Sequence, residues 1–120
     1  MADSTGSARA SCANYISNLT TLENEDTITI CKNVNTTTEA DNASDCAIYL
    51  DQMASPLRSP QIADACSAVK STEDYNNTIT CFSDRINWLN FTSDQMVALC
   101  KPSEPKQEFQ KQFRLFAPRK

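Results

Sequence analysis

Apolar side chains recur along this 120-residue chain in short groups at helical spacing, separated by polar stretches. Cys12, Tyr15, Ile16, Leu19 and Leu22 follow the i, i+3, i+4, i+7 pattern with one further turn, which predicts an amphipathic helix. A second, shorter helix is predicted to carry Ile28, Cys31 and Val34. It is entered through Glu23-Asn-Glu-Asp26, whose acids suit the positive end of a helix dipole. The pair of helices returns as Cys46, Tyr49, Leu50, Met53, followed by Ile62, Ala65, Cys66 and Val69. Between these, Pro56 and Ser59-Pro60 mark the break, with Ser59 expected as N-cap and Pro60 at the first helical position. A third pair reads Cys81, Phe82, Ile86, Trp88, Leu89, then Met96, Val97, Leu99, Cys100, entered through the capping-box segment Thr92-Ser-Asp-Gln95.

The three pairs are spaced alike. Corresponding cysteines stand 34 or 35 residues apart, and a large apolar residue follows each first cysteine by seven positions: Leu19, Met53, Trp88. A period in this range belongs to stacked helix-turn-helix units. The expected fold is therefore all-α: a disulfide-stapled helical repeat of three hairpins with a C-terminal helix. On this reading residues 1–11 are a flexible leader, 12–45, 46–80 and 81–100 are the three units, and 101–120 form a basic amphipathic segment. Each first cysteine opens its first helix. The polar spacers 32–45 and 67–80 are either loop or a short third helix, with Thr36 to Glu39 and Ser71 to Asp74 as candidate caps. Asp26-Thr-Ile-Thr-Ile30 and Asn77-Thr-Ile-Thr80 alternate like strands and oppose the helical reading. Glycine supports it: Gly6 is the only one in the chain, so glycine-dependent hairpin turns and phosphate-cradling loops are not expected.

Six regularly spaced cysteines argue for disulfides made in an oxidising compartment. The shortest gap between them is 15 residues and the chain has no histidine, so neither a zinc site nor a Cys-x-x-Cys redox pair is expected. Antiparallel hairpins bring the two cysteines of each unit together, favouring 12–31, 46–66 and 81–100 over a set that joins neighbouring units through 31–46 and 66–81. Five Asn-x-Ser/Thr sequons, at Asn18, Asn35, Asn42, Asn76 and Asn90, point to the same compartment as glycosylation sites. An extracellular location, secreted or at the cell surface, is the expectation. No apolar run is long enough to span a membrane. The first ten residues lack the apolar stretch of a secretory signal, which suggests a mature form or an excised piece.

Charge is unevenly spread. Residues 1–100 carry 5 basic and 13 acidic side chains, whereas 101–120 carry 6 basic and 2 acidic ones. An acidic body offers no footprint for nucleic acid. Phe109, Phe113 and Phe116 lie at i, i+4, i+7 in the basic tail, either as a helix capping the end of the stack or as a docking helix. The absence of histidine removes the commonest general base, no pair of acids stands out from a solvated face, and no cofactor motif is present. No enzyme is expected.

The leading functional reading is a secreted or cell-surface glycoprotein module that binds other macromolecules, with a protein partner or self-association. Trp88, Phe109, Phe113 and Phe116 are the candidate anchors, because aromatic residues dominate interface energetics. A second reading is a carrier for a small apolar ligand such as a lipid or sterol, in a cavity lined by Tyr49, Met53, Ile86, Trp88 and Met96. A third is a structural subunit that stacks head to tail into an extracellular assembly.

Overall fold

A computed structural model describes residues 2–53 and 56–102. Among the described residues there are seven helices and no strand: α1 (Ala2–Leu19), α2 (Asn24–Cys31), α3 (Thr37–Gln52), α4 (Ser59–Cys66), α5 (Thr72–Ser83), α6 (Arg85–Asn90) and α7 (Ser93–Cys100). The long helices α1, α3 and α5 lie side by side in one layer, and the short helices α2, α4 and α7 in a second. The shortest extent of the molecule, 19 Å, matches two layers of helix. Three disulfides cross between the layers: Cys12–Cys31, Cys46–Cys66 and Cys81–Cys100, with Cα separations of 5.7, 5.8 and 5.4 Å. This is the within-hairpin pairing expected from the cysteine spacing.

The helices form for reasons that can be read residue by residue. Thr36 caps α3 by accepting from Glu39 N at 3.1 Å, while the Glu39 carboxylate accepts from Asn35 N at 2.8 Å. Ser71 and Asp74 do the same for α5, at 3.0 and 3.3 Å. Thr92 and Gln95 form the capping box expected of α7: Gln95 N donates to Thr92 Oγ1 at 3.2 Å, and Thr92 N donates to Gln95 Oε1 at 2.9 Å. The strand-like Thr-Ile alternation in 26–30 is absorbed into α2. Thr27 and Thr29 turn their hydroxyls back onto the carbonyls of Glu23 and Glu25, so their β-branched side chains sit in a helix without an unpaired oxygen.

Several expectations need correction. Residues 2–11 belong to α1, so the chain ahead of Cys12 is helix where a flexible leader was expected. Arg9 fastens it by donating from Nε to Val34 O at 2.8 Å and from Nη2 to Asn35 Oδ1 at 3.2 Å, and Ala8 is buried. The spacers are part loop, over 32–36 and 67–71, and hold no separate third helix. From Thr37 and from Thr72 onward they are the N-terminal parts of α3 and α5. The first cysteines therefore sit inside long helices rather than opening them. Ser59 is the first residue of α4 rather than its cap. Its hydroxyl donates to Asp26 Oδ2 at 2.6 Å and accepts from Glu23 N at 3.0 Å, joining α4 to the start of α2. In the third pair, the predicted continuous helix breaks at Asp84 into α5 and α6, and Asp84 caps the new start by accepting from Ile86 N at 2.9 Å.

The core runs between the layers. Ala8, Cys12 and Ile16 form the buried stripe of α1, so Tyr15 and Leu19, which the pattern had placed on it, are about half exposed at 52% and 49%. Ile30, not Ile28, points inward from α2. The central helix α3 is buried on two sides by small residues, Ala40, Ala43, Ser44 and Ala47, which let α1 and α5 approach closely. Ile16, Leu50, Ile62, Phe82 and Met96 fill the middle, each at most 1% exposed. Among the described residues no buried side-chain nitrogen or oxygen lacks a hydrogen-bond partner. Side-chain bonds between successive helix pairs join residues 28 to 37 positions apart, among them Asn42 to Lys70, Gln61 to Asp94 and the Lys101–Asp64 ion pair. These separations resemble the cysteine spacing.

Candidate functional site, an aromatic cleft beside an outward helix

The break at Asp84 creates the most distinctive surface of the molecule. Three positions after their first cysteines, the first two long helices carry Tyr15 and Tyr49; the third carries Asp84. Aspartate favours a helix N-cap over a helix interior, because its carboxylate competes for backbone N–H groups. The chain therefore turns, and α6 sets off in a new direction. It buries none of its side chains fully.

Between α3, α5 and α6 lies a cleft of about 490 Å³ lined by Tyr49, Met53, Phe82, Ser83, Arg85, Trp88 and Leu89. Phe82 is its floor, fully buried against the core. Trp88 leans on that floor at 6.3 Å between ring centroids and 39° between ring planes. Its indole Nε1 donates to Phe82 O at 2.6 Å, which fixes the ring and satisfies its one polar group. On the opposite wall, the Tyr49 and Ser83 hydroxyls are hydrogen-bonded to each other at 2.7 Å. Leu89 stands at the rim, 83% exposed. Arg85 and Ser83 are the polar members of an otherwise apolar and aromatic lining.

Three of the five residues foreseen around an apolar cavity, Tyr49, Met53 and Trp88, meet here. The other two do not. Met96 is fully buried in the core, and Ile86 is 65% exposed on the side of α6 away from the cleft. Phe82, Ser83, Arg85 and Leu89 had no part in that expectation. Recognising them required seeing Asp84 as a helix break, the one signal in the sequence that could have found them. Phe109, Phe113 and Phe116, together with the C-terminal helix expected to carry them, lie outside the described residues.

The sequon asparagines separate into two kinds. Asn18, Asn35, Asn76 and Asn90 are exposed. Asn42 is 8% exposed, and its Nδ2 donates to Lys70 O at 3.0 Å and to Thr72 Oγ1 at 3.4 Å. A glycan attaches through that same nitrogen, so Asn42 is the least accessible of the five sequon asparagines in the folded domain. Asn90 follows Ile86 by one turn of α6, and neither residue lines the cleft.

Charge within the body has two notable spots. Asp45 on α3 is pushed above the ordinary aspartate range, first by partial burial and then by the neighbouring Asp41 carboxylate. Tyr75 on α5 is raised by burial, with further contributions from Asp45 and Tyr49. No described helix is long and apolar enough to cross a membrane. Comparison with protein-family models, curated proteins and solved structures finds no match to this chain.

Proposed function

We propose that the protein is a secreted or cell-surface glycoprotein module that binds another macromolecule and performs no catalysis. The observation that carries this reading is α6. Its Leu89 stands 83% exposed beside an aromatic cleft, on a helix that contributes no fully buried side chain. Helices of this size form almost no stable structure alone, and most owe their stability to a buried apolar face. Burying a leucine in a partner's surface is worth about 1.5–3 kcal/mol. Trp, Tyr and Arg are the residues that most often anchor an interface, and Trp88, Tyr49 and Arg85 share this cleft. Three disulfides and the exposed sequons at Asn18, Asn35, Asn76 and Asn90 support the extracellular assignment.

The test uses the exposed position alone. Wild-type protein and the Leu89→Asp variant are immobilised and offered the extracellular fluid of the natural source. Leu89→Asp should keep its thermal stability, since the site is exposed, and lose the macromolecules the wild type retains. Equal retention by both would overturn the reading.

A second reading is favoured by one observation, the meeting of Tyr49, Met53 and Trp88 at a cleft of ligand size. In it the protein carries a small apolar ligand. Native mass spectrometry of protein from its natural source should then find a lipid-sized adduct.

A further inference from the structure

The cleft has polar chemistry at its edge that a purely apolar ligand would not use. Among the described residues the Arg85 guanidinium has no hydrogen-bond or ion-pair partner. Arg9, Lys70 and Lys101 are engaged, with Val34 O, Asn33 O and Asp64, while Lys32 and Arg58 do not line the cleft, so Arg85 is its one cation among the described residues. Beside Arg85 in the lining is the hydroxyl pair of Tyr49 and Ser83. Whichever of the two donates in their mutual bond, the other keeps a free O–H. An unpaired guanidinium and a spare hydroxyl donor therefore face the same space as Met53, Phe82, Trp88 and Leu89. Guanidinium and hydroxyl donors match a carboxylate; the apolar floor matches an alkyl chain.

We propose that this cleft binds a small carboxylate amphiphile, with the alkyl chain over Met53, Phe82 and Trp88 and the carboxylate against Arg85 and the spare hydroxyl of the Tyr49–Ser83 pair. The proposal rests on the small-ligand reading of the cleft and names its ligand class. It is a statement about local contact rather than the overall field. Residues 1–100 carry 13 acidic against 5 basic side chains, so an anion is repelled at long range, and any selectivity for one must come from Arg85 itself.

Trp88 is the only tryptophan of the chain and lines the cleft, so its emission reports occupancy. The full chain and its Arg85→Gln variant are titrated with decanoate and, separately, with 1-decanol, at moderate salt and below the aggregation point of each. Decanoate should shift Trp88 emission saturably and be weakened about fivefold by Arg85→Gln, as for an exposed charge-assisted contact. Decanol affinity should be unchanged by the same substitution, which isolates the carboxylate contact as a double-mutant cycle does. If Arg85→Gln leaves decanoate affinity unchanged, the carboxylate assignment is overturned while the small-ligand reading stands. If neither ligand moves Trp88 emission saturably, both are overturned, and the Leu89-based reading is untouched. A peptide ending in an apolar residue with a free carboxylate, binding more tightly than decanoate, would overturn the proposal in favour of a protein terminus.

Discussion

Replacing Asn42 with alanine tests how the central helix is tied to the chain beyond it. Asn42 lies on α3, and its amide reaches the carbonyl of Lys70, just before α5 begins, at 3.0 Å; the contact to Thr72 Oγ1, at 3.4 Å, is too long to count as a full bond. Asn42→Ala removes one good hydrogen bond and strands the Lys70 carbonyl, which is partly shielded from water. A lost bond of this kind with a stranded partner costs about 1–2 kcal/mol. Each kcal/mol lowers the melting temperature of a domain of about 100 residues by roughly 4–8 °C, so the drop should be about 5–15 °C. The assay is a thermal melt followed by far-ultraviolet circular dichroism under non-reducing conditions, with the exposed Asn18→Ala as reference. Asn18→Ala should stay within about 0.5 kcal/mol of wild type. A matching change at Asn42 would refute the reasoning, because the amide could not then be spanning the two segments. Glycopeptide mapping gives an independent check: sugar on Asn42 in the folded protein would contradict its burial, whereas sugar on Asn18, Asn76 or Asn90 would not.

Non-reduced peptide mapping should return 12–31, 46–66 and 81–100, and removing Cys81 and Cys100 together as serines should cost about 3 kcal/mol, because that bond closes a loop of about 20 residues; a bridge between residues 31 and 46 would be incompatible with the two-layer fold. Phe82→Ala should cost about 3–5 kcal/mol, since the ring is fully buried and supports Trp88, and a cost below about 1 kcal/mol in the melt would remove Phe82 as the floor of the cleft. Asp45 binds its proton more tightly in the folded state than in the unfolded one, so its contribution favours folding below the ordinary aspartate range and is lost as pH rises through its raised folded value. Asp45→Asn should therefore melt above wild type at neutral pH, with the gap closing in acid; a gap that widens in acid would reverse the sign and refute the assignment.

Helix type, disulfide pairing and the cap of α7 were legible because each rests on local chemistry. Cysteine spacing set by hairpin geometry needs no long-range information, and Thr92 with Gln95 is complete within four residues. What escaped was carried by small or polar residues. The N-terminal part of α3 buries alanines and a serine, which a hydrophobic pattern does not weigh, so a stretch that reads as spacer is in fact part of the central helix. The first turns of α1 are polar too, and Arg9, reaching 25 residues along the chain to Val34, together with buried Ala8 shows how they are held. Which apolar residues stay outside was also hidden. Tyr15, Leu19 and Ile28 fit an amphipathic stripe, but the buried face is rotated towards Ala8, Cys12 and Ile16 on α1 and Ile30 on α2.

The cleft follows from the same logic carried one step further. The cleft is lined chiefly by residues of the third helix pair. Here that pair is also the one in which the long helix breaks. Had the third helix continued past Ser83 without a turn, Trp88 would hold the position that Leu19 and Met53 hold in α1 and at the end of α3. Asp84 turns the chain instead. The indole is then anchored by a single bond to Phe82 O, and Leu89 and Arg85 are set along the rim. One residue that differs in kind from its counterparts, Asp84 against Tyr15 and Tyr49, thus converts a packing position into an opening. Replacing Asp84 with alanine removes the cap on α6, costing about 1 kcal/mol. It should also let the long helix run on and close the cleft, seen as a shift in Trp88 emission together with a rise in helical dichroism. Unchanged emission would show that the opening does not depend on the break.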